Sequence, residues 1–285
     1  MRRATHPTSP TPRQTAVVVK RHSVLTRLTH WLNALCFCCL LLSGLQIFNA
    51  YPRLHWGQYG ADADHAFLSI GASESSDEPH GYVSIGDISL ATTGVLGMSK
   101  SDGDWIPRAF PAWLTLPSYQ DLAAGRRWHF FFAWAFVLNG LCYWGAGFLS
   151  GHLRRDMVPG VRELAPRHIW REVIDHARLR FPEGEQARRY NTLQKLSYIA
   201  VIAGLSPLMV LTGLTMSPGV DAAFPFLLDI FGGRQSARTI HFITASLLVL
   251  FVIVHLAMVI LSGPLNNIRS MITGRYAIRQ RGGRS

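Results

Sequence analysis

Apolar residues in this chain gather into four long runs. The runs cover about 24–48, 128–149, 195–216 and 240–262, and each holds about twenty apolar or small residues with few charges. A helix rises about 1.5 Å per residue, so about twenty residues cross the ~30 Å hydrocarbon layer of a bilayer. The pattern therefore predicts an all-α integral membrane protein with four transmembrane helices. Pro207 interrupts the third run and predicts a kink, which membrane helices tolerate. The polar stretch 49–127 contains YVSIGDISLATTGVLGMSKSDG, β-branched and punctuated by glycine, which predicts one or two short hairpins in a cap. The stretch 151–190 contains HIWREVIDHARLRF, compatible with a short amphipathic helix lying at the headgroups.

Composition agrees. Hydrophobic residues make up 48% and charged residues 16%, against about 25% charged in soluble domains. A net charge of +11 raises the question of nucleic acid, but the basic residues lie at the edges of the apolar runs, which excludes that reading. Lysine and arginine number six in 1–27, ten in 150–195 and five after 263, whereas 49–127 has five against nine acids. Basic loops stay inside, so both termini and the middle loop are predicted to face the cytoplasm, and 49–127 and 217–239 to face outward. The division is then a disordered basic tail at 1–22, a membrane domain at 23–270 with outer insert 49–127 and inner loop 151–190, and a second tail at 271–285. Cys36, Cys38, Cys39 and Cys142 lie inside the runs and form no C-x-x-C pair, so they are expected to act as small apolar fillers.

The fourth run, HFITASLLVLFVIVHLAMVIL, holds His241 and His255 fourteen residues apart. Fourteen residues rise about 21 Å and turn 40° short of four full turns, so the two share one helix face at two depths. His129 near the outer end of the second run matches His241 in depth, and His30 near the inner end of the first matches His255. A bis-imidazole pair bridging two helices is what a six-coordinate b-type haem requires, with both axial positions filled and electron transfer favoured. Two such pairs predict a dihaem bundle. A hydrogen-bonded packing histidine is the ordinary alternative for any one of them. Zinc would want a carboxylate or thiolate at depth, and a proton relay would recruit Asp or Glu; the runs offer neither carboxylate. Gly44, Gly140, Gly145, Gly147, Gly204 and Gly213 leave gaps that suit a porphyrin or close helix packing equally. His55, His65 and His80 in the outer loop show no pattern and are expected to be solvated. Trp56, Trp105 and Trp113 there are interfacial anchors or part of a docking surface.

LTRLTHWLNA with His30, GRRWHFFFAWAFVLNGL with His129, YNTLQKLSYIAVIAGLSPLMVLTGLTMSPG, and the segments around His241 and His255 together resemble the bacterial cytochrome b561 and nickel-hydrogenase cytochrome b family. The resemblance covers about 24–270 and is narrower to thiosulfate-reductase-type cytochrome b subunits, because the outer insert is long. It implies an inner-membrane respiratory subunit with two haem b, N-in and C-in with a periplasmic loop cap. Such a subunit passes electrons between the quinone pool and a periplasmic partner, in the narrower group a molybdopterin-dependent oxidoreductase. A stand-alone superoxide or quinol oxidoreductase is the family alternative, and a colourless transporter or anchor the reading outside it. YNTLQK resembles the N-A-G-Q-K stretch of formate-dehydrogenase-type members, with Thr192 and Leu193 in place of Ala and Gly. That implies quinone contacts at Asn191, Gln194 and Lys195, beside the plainer reading of a helix cap and a snorkelling lysine. Haem propionates want basic partners, and Arg27, Arg127 and Arg238 stand within a turn of His30, His129 and His241.

Overall fold

A computed structural model describes residues 16–61, 64–73, 79–151, 153–178 and 191–279. The expected disorder of the leader at 1–15 and the ends of the inner loop (179–190) and C-terminal tail (280–285) lie outside the described residues.

Four helices are long and apolar enough to cross a bilayer. The first is α1 (Val24–Phe48), with Ser23 as N-cap accepting from Thr26 N. The second, α2 (Leu122–Leu149), starts six residues before the apolar run, because Asp121 caps it and accepts from Ala124 N at 2.8 Å. The third crossing is built from α4 (Thr192–Ile199), a π-helical turn at Ala200–Leu205, and α5 (Ser206–Thr215). Pro207 has no N–H and its ring crowds the preceding turn, so the helix widens there rather than breaking. The fourth, after the short helices α6 (Pro218–Ala223) and α7 (Phe226–Ile230), is α8 (Arg234–Leu261). Its lipid-facing side exposes Leu250, Ile253, Val254 and Leu256, and α2 exposes Phe131, Trp134 and Leu138. Large apolar side chains on the outside are what a lipid-solvated bundle needs and a water-soluble one avoids. Cys36 is buried and Cys39 half-buried, as small fillers would be, but Cys38 and Cys142 are exposed on that surface, where the filler reading does not hold.

The stretch expected to form hairpins builds a cap at one end of the bundle. Strands β2 (Arg53–Leu54), β3 (Leu68–Ser73), β4 (His80–Ile85) and β5 (Ile88–Ala91) form an antiparallel sheet in that order, and β6 (Met98–Ser101) pairs with β7 (Asp104–Pro107). Where the two layers cross, Gly97 adopts φ +77°, and a Cβ there would lie 2.1 Å from Gly71 O. Leu54, Ile70, Ala109 and Phe110 of the cap pack on Phe48 at the end of α1, with Phe242 of α8 beside them. Asn49 fixes the junction: its amide donates to Phe110 O at 3.2 Å and its Oδ1 accepts from Phe110 N at 2.7 Å. Arg108 is buried in the same seam, donating to Gln46 Oε1, Thr115 Oγ1 and Ser118 O, and burial pulls its pKa below the usual arginine value.

At the opposite end, β1 (Ala16–Lys20) pairs antiparallel with β8 (Arg275–Arg279) after the short amphipathic α9 (Pro264–Thr273). Residues 16–20 are therefore a strand, not part of a disordered tail, because the last strand of the chain supplies their hydrogen-bond partners. The two ends of the described chain lie together at the face away from the cap. The amphipathic helix expected in the middle loop is α3 (Pro166–Ala177). It docks on the start of the third crossing: Glu172 accepts from Thr192 N, Leu193 N and Thr192 Oγ1 at 3.0–3.3 Å.

Candidate functional site

Helices α1 and α2 pack against each other, and the third crossing packs against α8. Histidines project between these two helix pairs. His241 and His255 share the inward face of α8, as their fourteen-residue spacing requires. His255 faces His30 of α1 with ring centroids 6.4 Å apart, and His241 faces His129 of α2 with centroids also 6.4 Å apart. The ring planes are inclined at 57° and 61°. These are the two pairs expected from the depths of the residues.

The separation has chemical meaning. Imidazole nitrogen binds a metal at about 2.0–2.1 Å, and a ring nitrogen lies ~1.1 Å from its ring centre, so a metal between two imidazoles sets the centroids about 6.3 Å apart. Direct hydrogen bonding between the rings would bring them closer, and van der Waals packing of side chains has no reason to repeat one distance at two levels. Among the described residues no three or more His, Cys, Asp or Glu side chains converge as a metal site. Each pair offers two imidazoles at a separation that fits one metal between them, and such a pair suits a metal whose remaining positions come from a planar macrocycle.

The pair on the cap side, His129 and His241, carries a second layer. Ser43 Oγ donates to Cys39 O at 2.6 Å, and Thr212 Oγ1 donates to Leu208 O at 2.7 Å. Their oxygens are thereby left as acceptors for the rings: Ser43 Oγ lies 3.1 Å from His129 Nδ1, and Thr212 Oγ1 lies 3.0 Å from His241 Nδ1. This arrangement puts the proton on Nδ1 of both rings and presents Nε2 as the ligand atom. Gly44 and Gly213 follow these hydroxyl residues, and a Cβ at either would meet the neighbouring Cε1 at 3.4 Å. Ser43 and Thr212 are absent from a reading based on histidines alone. The signal was present as a repeated tetrapeptide, Leu-Ser-Gly-Leu at 42–45 and Leu-Thr-Gly-Leu at 211–214. Of the other glycines, Gly140, Gly145 and Gly204 border open space and Gly147 packs on Leu153.

The pair away from the cap, His30 and His255, is held differently. His255 stacks on Phe251 with an interplanar angle of 15°, and His30 meets Trp31 edge-on. His30 Nδ1 is buried without a hydrogen-bond partner among the described residues. Asn139 of α2 ties the helices nearby, donating to Thr29 O at 2.9 Å and Asn33 Oδ1 at 2.6 Å.

The remaining expected site residues divide. Arg238 reaches Tyr51 O and Arg53 O at the cap and lies over the rings of Phe48 and Tyr51. Arg27 reaches Ile272 O and Ser23 O at the opposite end. Arg127 is exposed. Asn191 and Gln194 form a capping box at the start of α4, which accounts for their three-residue spacing without any ligand. Lys195 pairs with Glu163 at 2.8 Å, and that hydrogen bond holds the Glu163 carboxyl below its ordinary pKa. His65 is exposed as expected, but His55 is 2% exposed: Gly60 lies against its ring, Tyr51 stacks beside it, and the Tyr51 hydroxyl lies 3.1 Å from its Nε2.

The chain matches the family described as prokaryotic cytochrome b561 over residues 21–274. It is also 34% identical over 157 residues to a protein of Azospira oryzae provisionally named as the protein-methionine-sulfoxide reductase subunit YedZ1. That alignment covers 55% of this chain and 74% of the other. No solved structure gives a significant match.

Proposed function

Because this chain belongs to the prokaryotic cytochrome b561 family of haem b membrane electron-transfer proteins, we propose that it holds two b haems and links the quinone pool to a redox partner at the cap face. The observation that carries this reading is the recurrence of one imidazole separation, 6.4 Å, at two depths. His30 and His255 would hold one haem and His129 and His241 the other. Bound between two imidazoles, a haem supplies one-electron transfer with no open coordination position. The protein's own contribution is ligation, orientation and a low-dielectric surround. Ser43 and Thr212 fix the ring tautomers of the outer pair, and the rise of α8 sets the two levels about 21 Å apart.

The distribution of lysine and arginine favours the end that holds β1 and β8 as the cytoplasmic side, and hence the cap as periplasmic. Arg238, one turn outward from His241, is the side chain we assign to the anionic edge of the outer haem. Arg27 faces α9 and is not drawn on for the inner one. For quinone we retain the inner end of the third crossing, where Lys195 and Glu163 provide a charged pair at the membrane edge. The partner is a periplasmic oxidoreductase, of the molybdopterin-dependent class that the family resemblance implies. The name of the Azospira relative, a reductase subunit, supports a subunit role of this kind.

Anaerobic addition of duroquinol to membranes carrying the protein tests the route. The expected result is reduction of a b-type spectrum. In His30→Ala that reduction is lost, while in His129→Ala the inner centre still reduces. Reduction unaltered in His30→Ala would refute the assignment of the inner centre to quinol oxidation.

A further inference from the structure

At the end away from the cap, β1, the start of α1 and β8 line a half-open hollow of about 600 Å³, within the ordinary range for ligand sites. Lys20, His22, Arg27 and Arg275 line it, and no carboxylate is among its described lining residues. The strand register makes this concentration deliberate rather than incidental. Lys20 stands directly opposite Arg275 across the two-stranded ribbon, and like charges so placed repel. Arg21, the next residue, is drawn to the Tyr276 ring at 4.7 Å. A ribbon of only two strands has little stability of its own, so a built-in repulsion at its base calls for a compensating anion.

A second hollow of about 190 Å³ adjoins the first, sharing Val24 and Arg27, and is lined by Leu28, Trp31, Met271 and Ile272. It is apolar and faces the lipid: Leu28 and Ile272 are exposed, and Trp31 is half-exposed with its indole N–H donating to Met271 O at 3.1 Å. Leu265, Ile268 and Ile272 form one exposed apolar face on α9, which suits a helix lying in the membrane interface. A basic chamber at headgroup level opening onto an apolar groove on the bilayer side has the two-part chemistry of a phospholipid.

We propose that this is a binding site for an anionic phospholipid, its phosphate seated among Lys20, His22, Arg27 and Arg275 and an acyl chain along Leu28, Trp31 and Ile272. A bound lipid bridges the first helix to the ribbon of β1 and β8. The site is independent of the haem assignment.

The test is native mass spectrometry of the full-length, delipidated protein titrated with short-chain phosphatidylglycerol, with phosphatidylcholine and with inorganic phosphate. Phosphatidylglycerol should bind at one site and phosphatidylcholine should not at the same concentrations. Each basic side chain near an anionic headgroup contributes about 5-fold, so Lys20→Gln with Arg275→Gln should weaken binding by roughly 30-fold, and Lys20→Arg with Arg275→Lys should preserve it. Haem-to-protein ratio should not change in either. If the double glutamine variant fails to fold, Lys20→Gln alone, on an exposed strand position, should show the 5-fold loss. Equal binding of the two lipids, or undiminished binding in the glutamine variants, overturns the site. Inorganic phosphate binding as tightly as phosphatidylglycerol overturns the lipid as its occupant.

Discussion

Ser43 and Thr212 each do two things with one oxygen. The hydroxyl proton satisfies a carbonyl one turn back in its own helix, and the oxygen then accepts from a histidine on a neighbouring helix. A hydrogen bond from Nδ1 raises the basicity of the imidazole and so favours an oxidised metal at Nε2. Replacing either residue by alanine should therefore raise the midpoint potential of the outer centre and leave the inner centre unmoved. Metal retention at the outer centre should fall about 10–100-fold. A redox titration that resolves the two centres checks this, and an equal shift in both would contradict it. At this scale the histidines were legible in the sequence, because an imidazole in hydrocarbon demands a partner and the helix period gives its depth. Their hydroxyl partners were not, since serine and threonine in membrane helices commonly satisfy themselves on backbone carbonyls, as Ser246 and Thr244 do in α8. The burial of His55 was hidden for a related reason: its segment is held against the start of α8, where Thr239 Oγ1, 184 residues away in the chain, donates to His55 O at 2.7 Å.

Helices extend beyond the apolar runs that announce them. The second begins at Leu122 and the fourth at Arg234, since caps and cap-domain contacts sustain helix where composition alone turns polar. This extra length matters for the site, as it puts His129 two turns inside its helix rather than at the tip. Pro207 is answered by a π turn immediately before it, a local adjustment that periodicity cannot reveal. The middle loop meets the third crossing through two carboxylates: Glu163 pairs with Lys195, and Glu172 of α3 accepts both of the first two backbone N–H groups of α4. Glu172→Ala removes that acceptor and should cost about 1 kcal/mol. The expected outcome is a lower Tm and faster proteolytic cleavage within 150–191, with Glu172→Gln restoring much of both through its amide oxygen. Unchanged Tm and cleavage in Glu172→Ala would show that α3 does not hold the third crossing.

Across the whole molecule, charge and shape divide the same way. One end carries the basic ribbon and the amphipathic α9; the other carries the β cap, seated on Phe48 and Phe242 and pinned by Asn49 and Arg108. Between them, helices that pack in two pairs leave a seam, and the four histidines point into it at two levels. The most direct test of the central claim is the haem-to-protein ratio of the purified chain, read with its reduced-minus-oxidised spectrum in the native protein and in four single alanine variants. Two b haems per chain are predicted. His129→Ala and His241→Ala should each leave one haem with the spectrum of the inner centre, and His30→Ala and His255→Ala one with that of the outer. A colourless native protein, or full haem content in all four variants, would contradict it.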